Sequence, residues 1–419
     1  MVTLPFGAKS IRLDVNVVGS HEVIGPKLVT PPSNPREVIL AALDSPVGTD
    51  RLDQSTRRRH KVALILDDIT RNTPTHLMIP PILERLRASG IPSSAIVLVI
   101  ALGSHRVMTQ EEIKAKIGRK IAEAFEIVNV SAWEDAEFMY LGDSSNGIPA
   151  FVNRRVAEAD FKIGVGQIVP HAEVGFGGGA KIVLPGVCSH RTIDRFHAFT
   201  LAHKRNLLGC PVGPVRKDLE VFVQERVGLD FIVNAILTAD GSLYGCVAGH
   251  MIHAHRAGVA KSMEIYVAKA SKKHRMVIVS SFPADLDLWQ SSKAIWSAEK
   301  IVEDDGLLLL VTPSPEGFGP HPLLADYLGS DIVDLLARLA AGTVEDPTAC
   351  AAAIQLGYFK RRIRLGFVSD GLSRSDATRI GFHYFQTVDE AIQREITGCV
   401  DPISVGIITH GGVVSADLH

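Results

Sequence analysis

The sequence predicts an α/β protein with two domains, each holding a mostly parallel β-sheet flanked by helices. Short apolar runs rich in β-branched residues alternate with amphipathic stretches, and this alternation is typical of βαβ units. The chain has 419 residues, which is more than one hydrophobic core usually organises. An apolar fraction of 46% is sufficient to fill two cores.

In the predicted first domain, β-branched runs indicate buried strands and the segments between them indicate helices. The segment 109–125 begins with Thr109 and Glu112 in capping-box spacing. Isoleucine then recurs at every fourth position, so the segment is predicted as one helix. Thr73 and Pro74 are expected at the N-cap and the first position of an earlier helix. The strands are predicted at 61–68, 95–101, 161–169 and 231–237.

A second series of strands and helices follows the polar segment 271–275, which places the domain boundary near residue 272. The domains are therefore predicted at 1–271 and 272–419, with the C-terminal tail able to pack back on the first. Helices are predicted at 291–304 and 322–340, and strands at 276–281, 307–312, 363–369 and 404–409.

Charge and cysteine usage disfavour several classes of protein. Lys plus Arg total 44 against 46 Asp plus Glu, a formal charge of −2, without the basic stripe that a nucleic-acid backbone requires. The five cysteines are scattered and form no C-x-x-C pair, which is typical of a reduced compartment. The first residues lack the order of a signal peptide, and no apolar window reaches the ~20 residues of a membrane helix. We expect a cytoplasmic protein that binds neither nucleic acid nor membrane; the sequence does not indicate an oligomeric state.

Polar clusters follow the predicted strands of both domains. Ligands of open α/β sheets bind beyond the carboxyl ends of the strands, and domain junctions favour cavities. We therefore expect the active site in the cleft between the domains. The clusters lie at 68–74, 102–106, 170–181 and 285–293.

Lys181 follows a glycine-rich loop, but the loop does not match the common nucleotide motifs. A phosphate loop needs glycine at position 180 and a hydroxyl at 182, where this chain has Ala180 and Ile182. The glycines are too crowded for a dinucleotide fingerprint. Either the loop admits a bulky ligand beside a lysine that is covalently modified, or it is a tight turn with a lysine that reaches water.

The other clusters each permit two interpretations from the residues alone. Either the free N–H groups of a helix N-terminus and Arg71 meet an anion together, or Asp68 and Arg71 form a surface ion pair. His105 is either catalytic or a loop residue with its hydrogen bonds satisfied. Gln290 and Lys293 either clamp a carboxylate or begin a solvated helix.

Three histidines, His190, His197 and His203, lie close together in the sequence. None of them has the H-x-x-x-H spacing that places two zinc ligands on one helical face. A multi-histidine zinc site is therefore disfavoured. One of them can still be a single ligand to a metal whose other ligands come from a cofactor.

Taken together, these clusters resemble the nickel-pincer lactate racemase family, and the resemblance covers nearly the whole chain. Several separated motifs in the right order are more specific than any one glycine loop. The matching motifs are D-x-T-R-x-x-P at 68–74, G-x-H-R at 103–106, H-x-x-x-G-F-x-G-G-x-K-x-x-L-P-G at 171–186, T-I-x-x-x-H at 192–197 and Q-x-x-K at 290–293.

The resemblance implies a nickel cofactor made by separate biosynthetic enzymes. Lys181 would carry a pyridinium-3-thioamide-5-thiocarboxylic acid mononucleotide, whose carbon and two sulfurs bind Ni(II), and His197 would be the fourth ligand. The cofactor-binding glycines Gly177, Gly178 and Gly179 would let the flat nucleotide approach the backbone. Asp68 would help to orient the cofactor.

The resemblance also implies a racemase or epimerase that inverts C2 of a 2-hydroxy acid by reversible hydride transfer. His105 and His171 would be its acid/base pair, because inversion needs one base on each face of the substrate. Arg71, Gln290 and Lys293 would hold the substrate carboxylate.

Departures from the family pattern concern the substrate. Ala172 and Glu173 stand where lactate racemase has two aromatic residues, Trp289 replaces a tyrosine, and Ala180 replaces a basic residue. We expect Glu173 and Trp289 to contact a substrate larger and more polar than lactate, such as an aldonic acid. The alternative is that Glu173 turns away to a salt bridge or to water. Malate is less favoured because Glu173 would repel its second carboxylate.

Two other functions would also use a lysine behind a glycine loop. A pyridoxal-phosphate enzyme needs an aspartate beside its pyridine nitrogen, and no convincing candidate is present. A non-catalytic carrier of the nickel nucleotide would explain Lys181 and His197, but it gives no reason for His105 and His171.

Overall fold

The structure is a computed structural model that describes residues 1–201, 206–397 and 401–418, so His203 and Cys399 lie outside the described residues. Its strands are β1 (Val2–Phe6), β2 (Lys9–Leu13), β3 (Ser20–Ile24), β4 (Val62–Asp67), β5 (Ile96–Ala101), β6 (Glu126–Val128), β7 (Phe138–Asp143), β8 (Pro149–Asn153), β9 (Phe161–Gln167), β10 (Pro170–His171), β11 (Gly175–Phe176), β12 (Phe231–Leu237), β13 (Leu243–Gly249), β14 (Val267–Ala270), β15 (His274–Ser280), β16 (Val302–Val311), β17 (Arg364–Val368), β18 (His383–Tyr384), β19 (Ser404–Ile408) and β20 (Ser415–Leu418). Its helices are α1 (Pro35–Asp44), α2 (Leu52–Ser55), α3 (Thr75–Ala88), α4 (Gln110–Ile117), α5 (Arg119–Ala124), α6 (Arg154–Ala157), α7 (His190–Thr200), α8 (Pro214–Phe222), α9 (His253–Tyr266), α10 (Leu288–Ser291), α11 (Lys293–Ala298), α12 (Leu324–Gly329), α13 (Ile332–Ala340), α14 (Pro347–Lys360), α15 (Arg374–Ile380) and α16 (Val388–Thr397).

The first sheet is six-stranded in the order β13-β12-β9-β4-β5-β6, and it is parallel except for the edge strand β13. Alternate residues of β4 point to opposite faces of this sheet. Leu64 and Leu66 pack with α3, whereas Ile65 packs with the segment around Val183. Both faces are covered by helices, which explains why the strands are continuous apolar runs. The four strands predicted for the first domain are confirmed.

The second sheet is also six-stranded, in the order β18-β17-β16-β15-β19-β3, and all of its pairs are parallel. Its edge strand β3 comes from the N-terminal part of the chain. The β1-β2 hairpin packs on the same unit, where Leu4 and Leu13 contact the cluster of Met276 and Ile278. The predicted α/β fold class is therefore confirmed in both halves of the chain.

Each end of the chain packs against the predicted domain to which it was not assigned. Residues 1–24, assigned to the first domain, lie with the second sheet, and β20 pairs in parallel with β14. Ser415 Oγ in β20 also donates a hydrogen bond to the carbonyl of Leu208, at 3.1 Å. The boundary near residue 272 stays a prediction.

Several helices differ from their predicted bounds. The Thr109 capping box is present, but the predicted helix 109–125 is broken at Gly118, which has a φ of +91°. The helix predicted from Pro74 begins at Thr75, because Thr73 donates its hydroxyl hydrogen bond to Asp67 and does not cap the helix. The prediction at 291–304 was too long, since α11 ends at Ala298 and β16 begins at Val302, and the prediction at 322–340 is split into α12 and α13.

Among the residues that the structure describes, no helix combines the length and the apolar character needed to cross a membrane. The described cysteines, Cys188, Cys210, Cys246 and Cys350, are all free.

Candidate active site

A cavity of about 170 Å³ lies where the carboxyl ends of β4, β5 and β9 meet the helices that follow β15. Its wall combines residues from both halves of the chain and includes nearly all of the predicted site residues. These are Asp68, Arg71, His105, His171, Glu173, Gly177, Gly178, Lys181, His197, Trp289, Gln290 and Lys293. Gly179 is not part of the wall.

The glycine loop is held from behind by buried polar side chains. Arg216 donates hydrogen bonds to the carbonyl of Gly178, at 3.2 Å, and to the carbonyl of Phe176. His255 donates from Nε2 to the carbonyl of Gly177 at 2.9 Å, while its Nδ1 accepts from Arg256. Burial and the charge of Arg216 hold the pKa of His255 well below its usual value, so the ring is neutral and both nitrogens are satisfied.

The glycines of this loop serve different purposes. Gly178 has a φ of +72°, and a Cβ there would lie 2.8 Å from Oδ1 of Asn234, which also accepts the backbone N–H of Gly179. Gly179 has a φ of +57° and packs against His255. At Gly177, which lines the cavity, an added Cβ would come no closer than 3.5 Å to any other group of the described structure. The fold therefore requires glycine at 178 and 179 but not at 177.

Sequence reasoning missed Arg216, Asn234 and His255. Asn234 offered a signal, because it is the one polar residue in the apolar strand β12. Arg216 and His255 lie on helices far along the chain, and nothing in their local sequence indicates that they meet the glycine loop.

Lys181 lies in the cavity wall on a short 3₁₀ turn, Gly179–Ile182, directly after the glycines. Burial and the nearby charge of Arg71 lower the pKa of its amine to about 7. Within the described part of the chain, no group forms a hydrogen bond or ion pair with its Nζ. An enclosed, partly neutral and unpartnered amine is suited to covalent attachment of a ligand.

His105 follows β5 and is hydrogen-bonded at both ring nitrogens. Its Nδ1 lies 2.5 Å from Oδ2 of Asp68, and its Nε2 lies 2.9 Å from Nε2 of Gln290. Burial lowers the pKa of His105, and the Asp68 carboxylate offsets only part of this effect. Although burial opposes ionisation of Asp68, the charge and hydrogen bond of His105 keep the pKa of Asp68 below its usual value. The pair is a histidine oriented by a buried carboxylate.

His171 ends β10 in a different environment. Its Nδ1 accepts a hydrogen bond from the backbone N–H of Glu173 at 3.3 Å, and among the described residues no carboxylate contacts its ring. Burial and the charges of Lys181, Lys293 and Arg71 hold the pKa of His171 well below its usual value. This histidine is therefore kept in its neutral form.

Arg71, Gln290 and Lys293 meet across the cavity. Gln290 accepts hydrogen bonds from Nη1 of Arg71, at 3.4 Å, and from Nζ of Lys293. The Asp287 carboxylate caps α10 by accepting the backbone N–H of Gln290 at 2.6 Å. Burial and the charges of Arg71 and Lys181 hold the pKa of Lys293 well below its usual value.

The basic side chains of the cavity have no acidic partner among the described residues. Asp68 and Glu173 are each bonded to a histidine, and no described carboxylate forms an ion pair with Arg71, Lys181 or Lys293. An enclosed site of this kind attracts an anion such as a carboxylate.

Glu173 points to the metal-ligand candidate. Its Oε1 lies 2.9 Å from Nδ1 of His197, which is nearly buried on α7. This is the salt-bridge alternative considered for Glu173 in the sequence. Ala172 packs with Leu208 and Trp296 and also lines the cavity.

A network of hydrogen bonds joins the loop of His105 to the second half of the protein. His321 is buried, with Nδ1 2.7 Å from Oδ2 of Asp346 and Nε2 3.2 Å from Oγ of Ser104. Trp289 packs on the same ring, with the two centroids 4.2 Å apart. Sequence reasoning missed this cluster, because its members come from three distant segments and form no motif.

Within the described residues, no group of three or more His, Cys, Asp and Glu side chains could hold a metal ion by itself. His197 lines the cavity, and within the part of the chain that the structure describes only Glu173 hydrogen-bonds to its ring. Such a site suits only a metal whose remaining ligands come with a cofactor.

Comparison with known proteins gives one consistent result. Residues 6–209 match the family described as the lactate racemase N-terminal domain. The lactate racemase of Lactiplantibacillus plantarum is 32% identical over 287 residues, covering 68% of this chain and 67% of that protein. The lactate racemase of Thermoanaerobacterium thermosaccharolyticum is 27% identical over 325 residues, covering 76% of this chain and 75% of that protein.

Solved structures show the same fold. The lactate racemase apoprotein of Thermoanaerobacterium thermosaccharolyticum superposes with a TM-score of 0.88 at 23% identity, covering 99% of both chains. A protein from Thermotoga maritima superposes with a TM-score of 0.72 at 19% identity, covering 92% of this chain and 98% of the other.

Proposed function

This chain belongs to the lactate racemase family, and from that premise we propose that it inverts C2 of a 2-hydroxy acid as a racemase or epimerase. The observation that carries the proposal is the cavity itself. Two histidines from separate strand ends, the basic side chains of Arg71 and Lys293 and the amine of Lys181 line one enclosed space. That set meets the needs of proton transfer, of carboxylate binding and of cofactor attachment.

We propose that the cofactor is the nickel-pincer nucleotide, held covalently by Lys181 and through nickel by His197. Three features support the fit: no described residue bonds to the amine of Lys181, none bonds to Nε2 of His197, and packing does not require the glycine at 177. When bound, this cofactor supplies an acceptor for the hydride of the substrate C2. Separate biosynthetic enzymes would have to load it.

The acid/base work falls to His105 and His171. Inversion requires that the hydroxyl proton be removed on one face and returned on the other. One histidine must therefore be neutral and the other protonated at the start of a turnover. Asp68 stabilises the imidazolium form of His105, whereas the cations around His171 disfavour its protonation.

The substrate carboxylate would lie against Arg71 and Lys293. Both side chains already point their N–H groups at one acceptor, Oε1 of Gln290, so a carboxylate oxygen can take the same place. Gln290 also contacts His105, which links the bound carboxylate to the proton-transfer group.

A substrate larger and more polar than lactate remains our proposal, on different residues from those that first suggested it. Glu173 and Ala172 are engaged with His197 and Trp296. Gln355 on α14 also lines the cavity, and its amide has no hydrogen bond within the described residues. A hydroxyl beyond C2, as in an aldonic acid, would satisfy that amide. Gln355→Leu should therefore reduce turnover of polyhydroxy acids more than turnover of lactate.

Chiral chromatography tests the proposed function. Protein co-expressed with the cofactor-biosynthesis enzymes should convert enantiopure members of a 2-hydroxy acid panel to a mixture of configurations at C2. Lys181→Ala, prepared in the same way, should be inert. Wild-type protein that contains nickel and nucleotide yet converts no acid of the panel would identify a carrier and overturn the proposal.

A further inference from the structure

Glu173 and His197 form a buried carboxylate–histidine pair at the edge of the cavity. Their side chains are 16% and 10% exposed, and Oε1 lies 2.9 Å from Nδ1. Among the described residues, no group contacts the other ring nitrogen, Nε2. The pair therefore leaves one histidine nitrogen engaged and one available.

A carboxylate at Nδ1 determines which nitrogen carries the proton. Because the carboxylate can only accept, the neutral ring holds its proton on Nδ1 and keeps a lone pair on Nε2. The hydrogen bond also limits rotation of the ring. Histidines that bind metals commonly donate their second N–H in this way, which fixes their orientation and raises their basicity.

The position of Glu173 in the chain strengthens this reading. It lies in the turn between β10 and β11, two residues after His171, and its backbone N–H contacts that ring. One short hairpin thus positions a proton-transfer histidine through its backbone and the metal-ligand candidate through its side chain.

We propose that Glu173 is a positioning residue that orients His197 so that Nε2 binds nickel, and that it does not contact the substrate. This inference rests on the proposed function, because it takes nickel as the ligand of His197. It gives a role to the residue at which this chain departs from the aromatic pattern of the family.

Nickel retention tests the inference separately from activity. Glu173→Ala, Glu173→Gln and wild-type protein would be co-expressed with the biosynthetic enzymes and dialysed against a chelator. Elemental analysis would measure nickel, and denaturing mass spectrometry would measure the nucleotide on Lys181. We expect Glu173→Ala to keep the mass adduct but to lose nickel about 10- to 100-fold faster than wild type. Glu173→Gln should be intermediate, because its amide oxygen still accepts from Nδ1.

A matched control is available elsewhere in the chain. Glu22 pairs with buried His274 at 3.1 Å, and neither residue lines the cavity. Glu22→Ala therefore removes a carboxylate from a histidine without touching the site, and it should retain nickel like wild type.

Three results would overturn the inference. Wild-type nickel retention in both Glu173 variants would show that the pair does not matter for the metal. Unchanged retention together with a raised KM would show that Glu173 contacts the substrate. Wild-type protein with neither adduct nor nickel would overturn the proposed function, and this inference with it.

Discussion

The two histidines of the cavity, His105 and His171, occupy opposite environments. His105 is bonded to a buried carboxylate through one nitrogen and to an amide through the other. His171 has only a backbone N–H at its Nδ1 and is surrounded by cations. Burial favours the neutral form of both rings, but the Asp68 carboxylate opposes this effect at His105, whereas the positive charges around His171 add to it.

This difference teaches that a pair of acid/base groups need not be symmetrical to serve a symmetrical reaction. The reaction starts with one histidine protonated and the other neutral. The surroundings of each ring decide which histidine carries the proton before substrate binds. Enantiomers have equal free energy, so kcat/KM for a racemisation must be equal in both directions. The asymmetry can appear only in kcat and KM taken separately.

Removal of either histidine should have the largest effect. His105→Ala and His171→Ala should each reduce racemisation by about 10²- to 10⁴-fold, because each direction uses both groups. Initial rates by chiral chromatography would measure this loss. His60→Ala, at an exposed position, is the control. Near-normal turnover in either variant would remove that histidine from the mechanism.

Removal of the carboxylate should make the two histidines more alike. Asp68→Asn should reduce kcat by about 10²-fold, since His105 loses the group that orients it. Asp68 raises the pKa of His105 against the effect of burial, so its loss lowers that pKa further. The imidazolium is then lost at a lower pH, and the alkaline limb of the kcat profile should move to lower pH. A limb that stays in place or moves upward would contradict this account.

Within the described residues Gln290 bonds to His105 and not to His171, and its removal should have a smaller effect. Gln290→Ala removes hydrogen bonds to His105, Arg71 and Lys293. We expect KM to rise about tenfold, which corresponds to about 1.4 kcal/mol and to one hydrogen bond with a charged group. An unchanged KM would show that Gln290 does not help to bind the carboxylate.

The smallest effect is expected from a change in the hydrogen-bond network of Ser104, His321 and Asp346, which supports the loop of His105. His321→Ala leaves Asp346 and Ser104 without their shared partner, and it should reduce stability by about 1–3 kcal/mol. Turnover should fall only a few-fold, because His321 does not contact the reacting groups. Thermal unfolding and kcat measured on the same sample would separate these effects. A loss as large as that of His105→Ala would instead place His321 in the chemistry.

Strands were predictable from the sequence where burial on both faces makes them continuous apolar runs, as in β4 and β12. Helix bounds were less predictable. The capping box at Thr109 marked the start of α4, but the break at Gly118 depends on a left-handed backbone that glycine permits without requiring. The pairing of β3 with β19 joins segments nearly 400 residues apart, and local sequence contains no signal for it.

In the site, too, some residues were predictable from the sequence and others were not. Lys181, His105 and His171 were identifiable because they belong to motifs and lie after strands whose ends share one edge of a sheet, and His197 because it belongs to a motif. Their partners were not. The contact of Glu173 with His197 depends on side-chain directions that only the folded protein defines. The hydrogen bonds that link Ser104 to Asp346 through His321 depend on them too.

The central claim is that both histidines act around a cofactor attached to Lys181. The mass of the peptide that contains Lys181, measured on enzyme with demonstrated racemase activity, tests it most directly. We predict that this peptide carries the added mass of the nickel-pincer nucleotide, less its metal where denaturation releases it. An active preparation in which the Lys181 peptide is wholly unmodified would contradict the account.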